Sequence, residues 1–222
     1  MDGFDRRFQP QFHLRPFAYA PRAEVQPYYD MAREYVFGDR MFESNQGPSF
    51  PAHLYMISGT ATDPSIALYR VASNFPSPPA KPRSPGCDAL AGSTVNTISP
   101  ADGSAGPTPF PCFDRPALSD FLDDRNITWR YYQHQMGAGL WHAFDAIKHV
   151  RYGPDYANVI DPPETILTDI SQGKLAGLSW VMPYSAHSDH AGVASSAEGP
   201  SWVAAVVNAV GKSKYWRNTV IL

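Results

Sequence analysis

The chain has 222 residues, of which 43% are hydrophobic and 18% are charged, and its formal net charge is −3. This apolar content excludes global disorder, and the length fits one domain or most of a larger one. Lysine and arginine are scattered singly, which argues against a nucleic-acid partner. No apolar run approaches the roughly 20 residues of a membrane-spanning helix, and residues 1–16 lack the apolar region of a signal peptide.

Two helices are predicted in the first sixty residues. From Pro27 onward, apolar residues recur at helical spacing, and Gly38 suits the end of this helix. The recurring residues are Tyr28, Met31, Ala32, Tyr35 and Val36. A second helix is predicted over 50–58, with Ser49 in the N-cap position and Gly59 as the stop.

The stretch 75–116 has a different composition. It is dense in Pro, Gly, Ser and Thr and shows no usable period, which predicts a long excursion over the surface. Cys87 and Cys112, the two cysteines of the sequence, lie inside it.

Helices and strands alternate after this excursion. The predicted elements are a helix over 118–122, a strand over 127–132, a helix over 141–150, a helix over 166–170, a strand over 178–182, a helix over 202–210 and a buried strand over 219–222. This alternation predicts an α/β sandwich with a mostly parallel central sheet flanked by helices.

Ser49 is the first candidate for chemistry. A serine at a helix start faces unpaired backbone N–H groups and the positive end of the helix dipole, which suits a phosphate and a developing alkoxide. A plain capping role is the alternative, and spacing alone leaves both open.

Segment 183–190 is the second candidate, because it follows a predicted strand and holds His187, Asp189 and His190. Ligands bind at such positions in open α/β sheets, and imidazoles can bind a metal, orient a phosphate or transfer protons. A solvated polar loop is the alternative. Structural roles are favoured for His134, His142 and His149, His53 either faces solvent or packs its turn, and His13 lies in the unpatterned N-terminal stretch.

Two segments carry a resemblance to a known family: GPSFPAHLYMISGTA around Ser49 and LSWVMPYSAHSDH before Ala191. With segments before, between and after them, among them YYDMAREYVFGDRMFESNQ and GPSWVAAVVNAVGKSKYW, they resemble the phosphoesterase family of the alkaline phosphatase superfamily, which includes bacterial non-haemolytic phospholipases C and acid phosphatases. The resemblance covers essentially the whole chain. It implies an alkaline-phosphatase-like fold and hydrolysis of a phospholipid head group or a small phosphate ester through a phosphoserine.

The resemblance also implies roles for particular residues. Ser49 matches the phosphorylated nucleophile and a possible metal ligand, His190 matches a histidine that contacts the phosphoryl group, and His149 is a weaker candidate for phosphate binding. Such enzymes use a divalent metal. Their Glu-Asn pair and their adjacent aspartates after the strand at 219–222 have no counterpart here. We therefore expect residues 1–222 to be the central part of one catalytic domain, incomplete at both ends and of little activity alone.

Export is usual in that family. It implies a secreted or periplasmic parent protein and a disulfide between Cys87 and Cys112. Two alternative functions stay open: a serine acyl hydrolase that uses Ser49, Asp189 and His190, and a non-catalytic fragment that binds phosphorylated ligands. Against the acyl hydrolase, the G-x-S-x-G elbow is missing around Ser49.

Overall fold

A computed structural model describes residues 19–45, 47–74, 86–134, 142–190 and 197–222, which fall into two compact units. One unit comprises Met1–Gly38 and Ser185–Ala205, and the other comprises Asp39–Tyr184 and Val206–Leu222. Within the described ranges, no helix has the length and apolar character that a bilayer crossing requires.

Six α-helices and five strands are found in the part of the chain that the structure describes. The helices are α1 (Gln26–Glu34), α2 (Ser49–Ser58), α3 (Leu118–Asp123), α4 (Lys148–Tyr152), α5 (Thr165–Ser171) and α6 (Glu198–Gly211). The strands are β1 (Arg70–Val71), β2 (Thr97–Ile98), β3 (Trp129–Tyr132), β4 (Val159–Ile160) and β5 (Leu178–Val181). The helices predicted near 27, 50, 118, 166 and 202 and the strands predicted near 127 and 178 are confirmed, although α1 ends at Glu34 and does not reach Gly38, because Tyr35 is extended.

A parallel sheet of order β4-β3-β5 organises the larger unit. Tyr131 of the central strand β3 pairs with Val159 of β4 on one side and with Trp180 of β5 on the other. Parallel strands are stable when both faces are covered, and β3 is accordingly aromatic and mostly buried. The mixed α/β class and the parallel sheet are confirmed, whereas the alkaline-phosphatase-like sandwich stays a prediction.

Aromatic rings from this sheet form the centre of the core. The Trp129 and Phe144 rings stack at 5.0 Å, and Trp180 meets Phe144 edge-on at 5.5 Å. Such pairs add about 0.5–1.5 kcal/mol beyond their buried area. The buried side of α2 belongs to the same core through Phe50, Leu54 and Ile57, so the core fixes the direction of the helix that begins at Ser49.

The excursion predicted over 75–116 contributes to the core where it is described. Residues 75–85 lie outside the described part of the chain. Beyond them, β2 pairs antiparallel with β1, and Val95 and Phe113 are each 1% exposed.

Cys87 and Cys112 form a disulfide, as predicted. Next to it, Gly86 has a φ of +51°, and a Cβ there would lie 2.2 Å from the carbonyl oxygen of Asp145. The Tyr152 hydroxyl donates to the Cys87 carbonyl oxygen at 3.0 Å. The disulfide therefore closes the excursion on itself, while the Tyr152 hydrogen bond and the close approach of Gly86 to Asp145 hold it against the segment between β3 and β4.

We expect the double variant Cys87→Ser/Cys112→Ser to lose about 3 kcal/mol of unfolding free energy, because the bond closes a loop across a separation of 25 residues. Urea unfolding of wild type and variant measures the loss. Thiol titration of the denatured, unreduced wild type is the control. Two titratable thiols would contradict the disulfide.

Two predicted elements differ in the structure. The helix predicted over 141–150 is a 3₁₀ turn, Ala143–Ala146, followed by α4, because extended Ile147 bridges to Phe113 and interrupts the helix; position 141 lies outside the described part. The strand predicted over 219–222 was wrong. Thr219–Leu222 pairs with no described strand, and Val220 and Leu222 are exposed, because an apolar run forms a strand only against a neighbour.

Candidate functional site

Ser49 is the first residue of α2. Pro48, in extended conformation, occupies the N-cap position, so the predicted capping role of Ser49 was wrong, and no side chain at the N-cap bonds the helix start. The amide of Phe50 donates instead to Oδ1 of Asn74 at 2.9 Å. The half-buried Ser49 hydroxyl therefore lies at the positive end of a ten-residue helix.

His53 lies one turn further along α2 and contacts the backbone of Ser49. Its Nδ1 lies 2.7 Å from the carbonyl oxygen of Ser49. Burial lowers the pKa of His53, the bond to Ser49 opposes this change, and the charge of His142 lowers it further. Since a carbonyl oxygen only accepts, the neutral ring carries its proton on Nδ1 and donates to Ser49.

Asn45 is a polar residue near Ser49 that the sequence did not single out. It is 6% exposed, and its Nδ2 has no hydrogen-bond partner among the described residues. A Cβ on Gly47 would lie 3.0 Å from this nitrogen, so glycine leaves room for the amide. A buried donor without a partner is costly and suits an anion that would accept from it.

His190 belongs to the other compact unit, at the end of a loop that begins with the 3₁₀ turn Ser185–His187. Ser188 shapes this loop: its hydroxyl donates to the Ser185 carbonyl oxygen at 2.7 Å and accepts from the His190 amide at 3.2 Å. The exposed side chain of His190 therefore follows a turn that is closed by hydrogen bonds.

Asp189 holds the same loop in an unusual backbone conformation, with a φ of +54°. The Tyr28 hydroxyl of α1 donates to its Oδ2 at 2.6 Å, and a Cβ on Gly199 would lie 2.0 Å from its Oδ1. Burial and then this hydrogen bond raise the pKa of Tyr28. Because Tyr28 engages the Asp189 carboxylate, the geometry disfavours the acyl-hydrolase alternative, in which Asp189 would orient His190.

His149 lies on α4 between two carboxylates. Its Nε2 is 2.9 Å from Oδ1 of Asp120, and its Nδ1 is 3.6 Å from Oδ1 of Asp114. Asp120 also accepts from the Ala117 amide at the start of α3. This anionic surrounding disfavours a bound phosphate and gives His149 a role in joining α4 to α3.

A second group of polar side chains lies at the carboxyl ends of the parallel strands. The spacing of residues in the sequence did not predict this group. His134 follows β3, its Nδ1 lies 3.4 Å from Oδ1 of Asp161 after β4, and its ring lies 4.4 Å from that of Tyr184 after β5. Ligands of open α/β sheets bind at this edge. The sequence signal was the position of His134 two residues after the predicted strand 127–132.

A divalent metal needs several oxygen, nitrogen or sulfur ligands in one place. Within the described ranges, no group of three or more His, Cys, Asp or Glu side chains could hold a metal ion. Among the described residues, Asn74 and His53 bond the start of α2 through their side chains, and no carboxylate does so. These residues do not fit a divalent cation.

Comparison with known proteins adds one match. The model of the Phosphoesterase family matches residues 1–222. No curated protein matches the chain.

Proposed function

Because the chain belongs to the phosphoesterase family, we propose that it acts on phosphate esters with Ser49 as the nucleophile. The observation that carries this proposal is the position of Ser49 as the first residue of α2, with Pro48 as the N-cap. A hydroxyl there is free of a capping role and lies where a helix dipole favours negative charge.

The proposed reaction has two steps. The Ser49 Oγ attacks phosphorus, its proton passes to water, an Oγ–P bond forms, and the bond from phosphorus to the ester oxygen breaks. Water then attacks the phosphoserine, releases the phosphate and returns a protonated Oγ. Nδ2 of Asn45, four residues before Ser49, has no partner among the described residues and is a candidate donor to the phosphoryl oxygens.

His190 is proposed as the acid of the first step. Its imidazolium would give a proton to the departing alkoxide, as the family resemblance implies. The hydrogen-bonded turn and the Tyr28–Asp189 contact support this role because they restrict the loop that carries His190.

The family match supports phosphate esters in general. Within that class we propose a phospholipase C or acid phosphatase type of substrate, either a phospholipid head group or a small phosphate ester. Export to an oxidising compartment is also proposed, because the Cys87–Cys112 disulfide suits such a compartment.

Trapping the phosphoserine tests the proposal. The protein is incubated with p-nitrophenyl phosphate, quenched in acid and digested, and its peptides are mapped by mass spectrometry. We expect the phosphate on Ser49. An adduct on another residue, or none with any phosphate ester, would reject Ser49 as the nucleophile.

Steady-state turnover is a separate prediction. We expect the adduct on Ser49 to form slowly and p-nitrophenyl phosphate and p-nitrophenyl phosphorylcholine to be turned over at background rates, because the described residues offer no metal-ligand cluster and a bound metal supplies several kcal/mol of transition-state stabilisation. Assays with Mg²⁺, Mn²⁺, Zn²⁺ or Ca²⁺ and with a chelator measure this. Rapid turnover that the chelator removes would contradict the prediction and identify the divalent cofactor.

A further inference from the structure

A groove of about 700 Å³ lies at the end of α2 that is remote from Ser49. Its lining comes from the last turn of α2, the segment after it and the start of α3. Since α2 has ten residues at roughly 1.5 Å each, about 14 Å separates the two ends of the helix. The groove is therefore distinct from the candidate nucleophile.

Arg115 gives this groove its charge. Among the described residues that line it, Arg115 alone is charged, and this residue is 3% exposed. One guanidinium nitrogen, Nη2, donates to the Thr60 carbonyl oxygen at 2.6 Å. The other two, Nε and Nη1, have no hydrogen-bond partner in the described ranges.

The carboxylate of Asp63 lies near this guanidinium without a hydrogen bond to it among the described residues. Oδ1 of the buried Asp63 accepts from the Ser65 amide at 2.7 Å, and Oδ2 of Asp63 has no partner among the described residues. Neither oxygen is hydrogen-bonded to Arg115. Burial lowers the pKa of Arg115, and the charge of Asp63 opposes that change. A buried cation with unused donors is stabilised by an anion that comes close to it.

The rest of the lining is apolar and extends to the surface. Leu68 is 58% exposed and Phe121 is 54% exposed, although both are large hydrophobic residues, and Met56 and Leu118 add further exposed apolar surface. The groove thus has an exposed apolar rim above the buried guanidinium of Arg115.

We propose that this groove binds a single-chain amphiphile with a carboxylate head group. The carboxylate pairs with Arg115, and the hydrocarbon chain lies on Phe121 and Leu68. Because the buried Asp63 already lies near the guanidinium, a singly charged head group is favoured over a doubly charged phosphate monoester, which would add more negative charge beside that carboxylate. The volume suits a ligand of this size. This proposal is independent of the chemistry proposed for Ser49.

Titration calorimetry with dodecanoate below its micellar concentration tests the proposal. Acetate has the head group without the chain, and dodecanol has the chain without the charge. We expect dodecanoate to bind one per chain, dodecanol to bind at least roughly tenfold more weakly, and acetate to show no binding. Equal affinity for dodecanoate and dodecanol, or no binding of dodecanoate, would overturn the proposal.

Variants at the rim and floor locate the site. Phe121→Ser and Leu68→Ser should each weaken dodecanoate binding roughly tenfold by removing apolar contact. Leu90→Ser is the matched control, since Leu90 is 48% exposed but does not line the groove. Arg115→Lys should reduce the preference for dodecanoate over dodecanol, because lysine lacks the guanidinium fork.

Circular dichroism first establishes that each variant folds. If Arg115→Lys does not fold, the rim variants decide the question alone. Unchanged affinity in both rim variants, or equal weakening by Leu90→Ser, would place dodecanoate elsewhere on the protein and reject this groove.

Discussion

Ser49→Ala is expected to abolish the phosphate adduct that forms with p-nitrophenyl phosphate. Alanine has no oxygen to attack phosphorus, so neither the covalent bond nor the release of p-nitrophenol that accompanies it should occur. The measurement is the phosphorylated fraction of the α2 peptide after an acid quench, followed over time for wild type and variant.

Stability separates this chemical effect from a structural one. Ser49 is not the N-cap, so we expect Ser49→Ala to change the free energy of unfolding by no more than about 0.5 kcal/mol. Ser58→Ala is the matched control, because it removes a hydroxyl at the other end of α2 that has no partner among the described residues. Loss of the adduct in Ser58→Ala as well would contradict a specific role for Ser49.

His190→Ala is expected to slow adduct formation in a way that depends on the leaving group. A poor leaving group such as an alkoxide needs a proton as it departs, and loss of one positioned acid costs roughly 10²- to 10⁴-fold. p-Nitrophenolate departs without a proton, so its release should slow much less. The measurement is the rate of adduct formation with p-nitrophenyl phosphate and with an alkyl phosphate.

His187→Ala is the matched control for this loop. His187 interacts with Glu198 at 3.3 Å, and its ring stacks at 5.9 Å on that of Trp202, both contacts within its own unit. We expect the contrast between leaving groups to survive in His187→Ala. Equal slowing of both esters by His190→Ala would assign His190 to binding, and no slowing would remove it from the reaction.

The sequence was sufficient to predict helices and strands whose own side chains indicate that they are buried. The aromatic run of β3 and the apolar run of β5 predicted strands, and the apolar positions of α2 ending at Gly59 predicted a helix whose C-cap is that glycine, at a φ of +66°. In these cases local preference and packing agree.

Elements that depend on a distant neighbour were not predictable. The two-residue strand β4 exists because it pairs with Tyr131 and Tyr132 of β3. Ile147 leaves the helical conformation because it bridges to Phe113. The sequence around Val159 does not predict a strand, and the sequence around Ile147 does not predict the interruption of a helix.

The candidate site, too, could be predicted from the sequence only in part. The GPSFP segment and the histidines of 183–190 were visible in the sequence because their composition is unusual. The buried amide of Asn45 and the hydrogen bond between Tyr28 and Asp189 arise only in the folded chain. Each depends on burial or on a contact with another part of the chain, which spacing does not encode.

The position of β3 in the middle of its sheet has a consequence during synthesis on the ribosome. Tyr131 pairs with Val159 on one side, whereas its partner on the other side, Trp180, is made 49 residues later. Pairing across such separations is slow because chain entropy must be overcome first. Until residues 178–181 emerge, one edge of the apolar β3 has no partner, and a nascent chain that stalls in this interval exposes a segment prone to aggregation.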